Sequence, residues 1–181
     1  DGLFETILVS HADFVWWPQH WQRLSAGASR LGIAMPDEAT IVSAARELID
    51  KQHCVIKIIV TRGDSARGYK PEASLPTTVV SVHPAPEVYS APIGIRWCRT
   101  QMAQQPALAG LKHLNRLENV LARGEWSTPD YADGLMCDGN QSVICATSAN
   151  LFIYSAGKWR TPDLSKCGVN GVARQWFLSH I

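Results

Sequence analysis

Three stretches of this chain carry residues whose types and spacing could do chemistry. In GLKHLNRLENVLARGEW (110 to 126) the apolar residues fall at helical spacing and Lys112 stands off their stripe, near the start. Read alone, a lysine on a helix is a solvated surface residue, because its ammonium is seldom buried without a partner. The glycine-flanked CGVNGVARQ (167 to 175) reads as a helix start, whose unpaired N–H groups attract anions, although most such turns serve only as turns. TRGDSARGY (61 to 69) follows a strong strand and carries Arg62 and Arg67 on a glycine-containing loop. Two guanidinium forks there suit carboxylates; the plain alternative is a solvated turn. The six histidines are scattered, and no H-E-x-x-H, G-x-S-x-G or P-loop pattern occurs. Metal hydrolysis, serine nucleophilic and NTPase mechanisms are therefore unsupported, and no metal site is expected.

The elements that must position these residues alternate along 181 residues with 46% apolar content, ample for one ordinary domain or two small lobes. LFETILVS (3 to 10), VIKIIVT (55 to 61), TTVVSV (77 to 82) and IGIRW (93 to 97) read as strands. Between the first two, residues 18 to 33 place Trp21, Leu24, Ala28 and Leu31 at helical spacing. Residues 37 to 52 do the same with Ile41, Ala44, Ala45, Leu48 and Ile49. HPAPEVYSAP forms a connection, so that residues 1–84 make a first lobe, 85–91 a link and 92–181 a second lobe. In the latter, NLFIYSAGKWRTPD reads as a hairpin turning near Gly157, and the segment from Gly168 as a turn opening a helix. The mixture lacks a strict βαβ rhythm, which predicts α+β or irregular α/β rather than a doubly wound sheet.

Lys plus Arg number 17 against 16 Asp plus Glu, leaving no basic field for nucleic acid. Five cysteines, none in a C-x-x-C pair, indicate neither a disulfide framework nor zinc and fit a reducing cytoplasm. No apolar run reaches the ~18 residues of a membrane span, and the acidic opening does not read as a signal peptide.

Taken in order, the segments resemble the class IV pyridoxal-phosphate (PLP) aminotransferase family. DGLFETI is similar to that family's early strand, HWQRL to its H-x-x-R-L helix, KHLNRLENVL to its cofactor lysine segment, ATSANLF to its post-lysine strand and GVNGVARQ to its phosphate-binding helix start. Within the family, TRGDSARGY and LAGLKHLNRLENVLARGEW look most like the 4-amino-4-deoxychorismate lyase branch. The resemblance spans the whole chain. It implies a two-lobed α+β fold of the D-amino acid aminotransferase type, a homodimer, and PLP held covalently by Lys112. It further implies Arg23 on the cofactor phosphate together with the backbone of Gly171, Val172 and Ala173, and Arg67 and Arg62 on substrate carboxylates. The implied reaction releases 4-aminobenzoate and pyruvate, a step toward folate.

Two departures stand out. Family members carry a glutamate against the pyridine nitrogen a little over thirty residues after the lysine, and here that position is Cys145. A neutral thiol cannot supply a carboxylate's charge, which weakens an electron sink and harms transamination most. Members also have a short segment before DGLFET and further elements after GVARQ, so by that measure the chain is truncated at both ends. A class IV amino acid aminotransferase, of branched-chain or D-amino acid type, and a catalytically silent relic of the fold are the alternatives to the lyase.

Overall fold

A computed structural model describes residues 1–72 and 74–181. They form two compact units, one of Asp1–Glu87 with Lys112–Leu114, the other of Val88–Leu111 with Asn115–Ile181.

In the first unit, strand β1 (Gly2–Ser10), the short β2 (Asp13–Phe14), β3 (His53–Thr61) and β4 (Thr77–Pro84) build one antiparallel sheet in the order β2-β1-β3-β4. Alternation decides which face is buried. Leu3, Glu5, Ile7 and Val9 of β1 and Cys54, Ile56, Ile58 and Val60 of β3 are almost wholly inaccessible, while the residues between them are not. Fully burying an aliphatic side chain of this size is worth roughly 1.5–3 kcal/mol, so these positions fix the register. Helices α1 (Trp17–Leu31) and α2 (Glu38–Leu48) belong to the same unit. Helix α1 buries His20, Leu24, Gly27 and Ala28 and stops at Gly32. Helix α2 is capped by the Asp37 carboxylate, which accepts from Thr40 N at 2.8 Å, and it ends at Leu48, before the 52 expected.

The second unit pairs β5 (Ile95–Trp97) in parallel with β6 (Asp133–Cys137), and β6 antiparallel with β7 (Val143–Ala146). Helix α3 (Leu117–Arg123), the hairpin of β8 (Ile153–Ser155) and β9 (Lys158–Arg160), and helix α4 (Val172–Leu178) complete it. Its core gathers Met102, Ala122, Met136, Ile144, Cys145, Leu164 and Cys167.

Two expectations are corrected. The helix read over 110 to 126 covers only Leu117–Arg123. Gly110 sits at φ +82°, and residues 112 to 114 are not helical but bond to β1 on either side of a bridge between His113 and Leu3. Pairing with a strand edge satisfies that backbone and overrides the helical spacing of the side chains. Leu117, Val120 and Leu121 are accordingly exposed, and it is Ala122 that α3 buries. The two units divide at Glu87 and Val88, with Lys112–Leu114 in the first. Secondly, ATSANLF is not a strand. β7 ends at Ala146, where a turn brings Ala146 N to Ala149 O at 2.8 Å, and the Asp133 carboxylate accepts from Thr147 and Ser148. Among the described residues no helix is long and apolar enough to cross a membrane.

Candidate active site

Strand β1 presents different chemistry on its two faces. On the buried face Glu5, 1% exposed, receives Arg23 Nε at 2.7 Å and Arg23 Nη2 at 2.5 Å, and lies 2.7 Å from His20 Nδ1. His20 and Arg23 are one helical turn apart on α1, so H-x-x-R projects both side chains at one carboxylate. Burial pushes the Glu5 carboxyl up, but the hydrogen bonds from His20 and Arg23 and the guanidinium charge outweigh it and hold the group below its ordinary range. Sequence reasoning singled out Arg23 and missed Glu5. The signal was there: Glu5 has the same parity as Leu3, Ile7 and Val9, and an acid on the buried face of a strand requires a buried partner.

The opposite face carries Phe4. Segment 112–114 pairs with the edge of β1 that β2 uses farther along, with Phe4 N donating to Lys112 O at 3.0 Å and Leu114 N to Gly2 O at 2.9 Å. The Lys112 ammonium lies over the Phe4 ring, 4.3 Å from its centroid. The first unit thus brings Lys112 to β1, whose other face holds Arg23.

The two loop arginines part company. Arg62 directs Nε and Nη2 at the Asp1 carboxylate, at 3.0 and 2.5 Å, and also reaches the carbonyls of Leu31 and Gly32, both at 2.8 Å. Its donors tie strand β3 to the end of α1, an anchoring role. Arg67 is exposed.

In the second unit Cys145 lies on β7 inside the apolar core, with Sγ 3.5 Å from Met102 Sδ. Burial, reinforced by the Cys167 thiol, pushes its pKa up to about 12 against the pull of Arg116, so the thiol is neutral. The turn after β7 leads to Asn150. Its amide works like a short strand: Nδ2 donates to Val169 O at 2.9 Å, and Oδ1 accepts from Gly171 N at 3.1 Å. A Cβ on Gly171 would fall 2.2 Å from that Oδ1, so only glycine allows the approach. From the other side Gly110 pairs with the same loop, donating to Gly168 O at 2.9 Å and accepting from Asn170 N at 3.0 Å. The loop leads into α4 with no side-chain cap and no acid in the first turn. Because Gly171 N is taken by Asn150, the N–H groups at the disposal of an anion are those of Val172 and Ala173.

Residues 2–181 match the model of the family described as amino-transferase class IV. The chain belongs to the class IV aminotransferase family. It is 35% identical over 187 residues to an aminodeoxychorismate lyase of Vibrio harveyi, a match covering 100% of this chain and 69% of the relative. The solved structure of 4-amino-4-deoxychorismate lyase from Pseudomonas aeruginosa superposes with a TM-score of 0.89 at 40% identity, covering 99% of this chain and 68% of that one. A D-alanine aminotransferase of Listeria monocytogenes is 23% identical over 196 residues, with 99% and 64% covered. The chain thus spans about two thirds of the length of its relatives.

Class IV enzymes use PLP, and each unit by itself holds residue types that would suit part of that group. In the first, Lys112 carries a primary amine that an aldehyde could take. In the second, the start of α4 has no side-chain cap and no acid in its first turn, as a phosphate would favour, and the neutral Cys145 thiol would not balance a protonated ring nitrogen.

Proposed function

We propose that this chain carries the PLP-dependent elimination that converts 4-amino-4-deoxychorismate into 4-aminobenzoate and pyruvate, a reaction of folate synthesis. The observation that supports it best is the 35% identity to an aminodeoxychorismate lyase along the entire chain, with Lys112 in KHLNRLE. Bound PLP supplies an electron sink conjugated to the substrate amine. Lys112 holds the cofactor, and its amine, once released, takes the proton from the ring carbon that bears the substrate's amino group. The electron pair left on that carbon forms the ring double bond as the enolpyruvyl oxygen leaves its neighbour. The enol becomes pyruvate, and the ring becomes aromatic.

In the second unit, Val172 and Ala173 offer backbone N–H groups to the phosphate; in the first, Arg23, oriented by Glu5, is the side chain the resemblance assigns to it. Arg67 faces a substrate carboxylate, while Arg62 holds the loop that carries it. Cys145 favours the lyase over an amino acid aminotransferase. An elimination that ends in an aromatic ring draws less on a protonated pyridine nitrogen, and a thiol held neutral up to about pH 12 provides no charge to keep one.

The test is borohydride reduction of PLP-treated protein followed by peptide mass spectrometry, run beside an assay for pyruvate. The cofactor mass is expected on Lys112, and Lys112→Ala is expected to abolish both the adduct and pyruvate release. An adduct on Lys158 or Lys166 instead overturns the site. An adduct on Lys112 with amino acid transamination and no pyruvate release replaces the lyase by the aminotransferase.

A further inference from the structure

Lys112 is not alone over its aromatic ring. Lys57, on β3, lies with Nζ 5.6 Å from the centroid of Phe4, the ring that carries the Lys112 ammonium at 4.3 Å. The backbone explains why the three side chains meet. Lys57 pairs with Thr6 of β1, and Phe4 with Ile59, so Phe4 and Lys57 share the sheet face opposite the one that buries Glu5 and Ile58. Across the other edge of β1, Leu3 faces His113, which places Lys112 and Phe4 on that same face. One residue therefore grips Lys112 twice, by its N–H to the lysine carbonyl and by its ring to the ammonium.

We infer that Phe4 and Lys57 are positioning residues that set the reactivity of the Lys112 amine in opposite directions, Phe4 by holding the ammonium on its ring and Lys57 by bringing a second positive charge to the same ring. The ring quadrupole attracts a cation and so favours the charged, unreactive form of the amine. A neighbouring cation disfavours that form, the means by which other reactive lysines are activated. The two ammonium nitrogens can be no farther apart than the sum of their distances to the shared centroid, and the sheet face between them is partly shielded from water. Among the described residues of this sheet, the remaining titratable side chains on this face are His83 of β4, engaged with Ser81, and, at the far end of β1 around Ser10, His53 of β3 and Asp13 of β2. Glu5, His20 and Arg23 occupy the opposite face, and His113, paired with Leu3, points there too. Within this unit, then, Lys57 is the cation that shares the ring of Phe4 with Lys112.

The inference concerns the amine itself and rests on the proposed function only for its use in catalysis, which lets the two be tested apart. Cofactor-free protein is methylated with limiting formaldehyde and cyanoborohydride at pH 8, and the rate at Lys112 is followed by peptide mass spectrometry, with Lys158 and Lys166 as references for an intact fold. Phe4→Leu is expected to speed methylation of Lys112 roughly three- to tenfold. Phe4→Trp, which keeps an aromatic face, is expected to restore the slow rate. Lys57→Met is expected to slow it about two- to fivefold, and it reads the same effect should Phe4→Leu fail to fold. Equal rates in all variants, or a shift of Lys57→Met in the same direction as Phe4→Leu, overturn the inference. Capture of PLP, fixed by borohydride in parallel, is expected to follow the same order. Opposite methylation shifts without any PLP on Lys112 uphold the inference and overturn the cofactor reading instead.

Discussion

A carboxylate held 1% exposed by two bonds from Arg23 and one contact with His20 makes Glu5 sensitive to substitution. Glu5→Gln keeps the shape and removes the charge, leaving a part-buried guanidinium facing an amide. Breaking a buried pair in this way costs about 3–5 kcal/mol. The pH dependence follows from the direction of the shift. Folding lowers the Glu5 pKa below its ordinary 4.5, so its contribution is complete above that value and is lost as pH falls through the lower folded value. Urea unfolding at pH 7 and pH 3 is expected to show a wide gap between native protein and Glu5→Gln at pH 7 that narrows at pH 3. A constant gap would mean that the carboxylate is not ionised in the fold. Cys145 behaves in the opposite sense. Its folded pKa of about 12 lies above the ordinary 9.0, so the stability it lends is whole below 9.0 and fades as pH climbs toward 12. Cys145→Glu, which installs the family's usual side chain, puts a larger and ionisable group among Met102, Met136 and Cys167. A destabilisation of about 2–4 kcal/mol at pH 8 is expected, read as a lower thermal midpoint. An unchanged midpoint would show that this core opens to accept a carboxylate.

At the scale of elements, what was legible in the sequence was periodicity that tertiary structure reinforced. The alternation in LFETILVS and VIKIIVT survives because each strand buries one face, and the hairpin about Gly157 survives because Ala156 and Gly157 both take positive φ, as a tight turn between strands demands. Segment 110–116 was not legible, for a specific reason. Leu111 and Leu114 continue the helical spacing of the residues that follow, but the backbone of 112–114 is partnered by residues 2 to 4, more than a hundred positions away, and that of Gly110 by the loop at 168–170. Single-sequence periodicity is blind to a pairing of that range. The candidate site was nominated by resemblance rather than by periodicity. Family motifs nominate Lys112, Arg23 and the start of α4 by type and order. They say nothing of the Arg62 anchor on Asp1, the Asn150 brace that occupies Gly171 N, or the ring that Lys112 shares with Lys57. Those are partnerships, and a partnership is a property of the folded chain.

At the scale of the molecule, the chain crosses between its two units more than once. It leaves the first unit near Glu87, builds part of the second through Leu111, and returns for three residues, Lys112–Leu114, before completing the second from Asn115. The return is held by the two backbone bonds that flank the Leu3–His113 bridge. Leu114→Pro isolates the consequence. Proline removes the N–H that donates to Gly2 O, and its demand that the preceding residue be extended is already met, since His113 lies in the bridge. The cost thus falls on the pairing with β1, at about 1–3 kcal/mol for a lost bond and a strand edge left unsatisfied. Amide hydrogen exchange read by NMR is expected to show faster exchange at Phe4, whose N–H donates to Lys112 O. The α3 amides that bond within the helix, which begins only at Leu117, are expected to keep their protection. If instead α3 lost protection while Phe4 kept it, residues 112 to 114 would belong with the helix that their spacing suggests, and the seat of Lys112 on Phe4 would fall with the pairing.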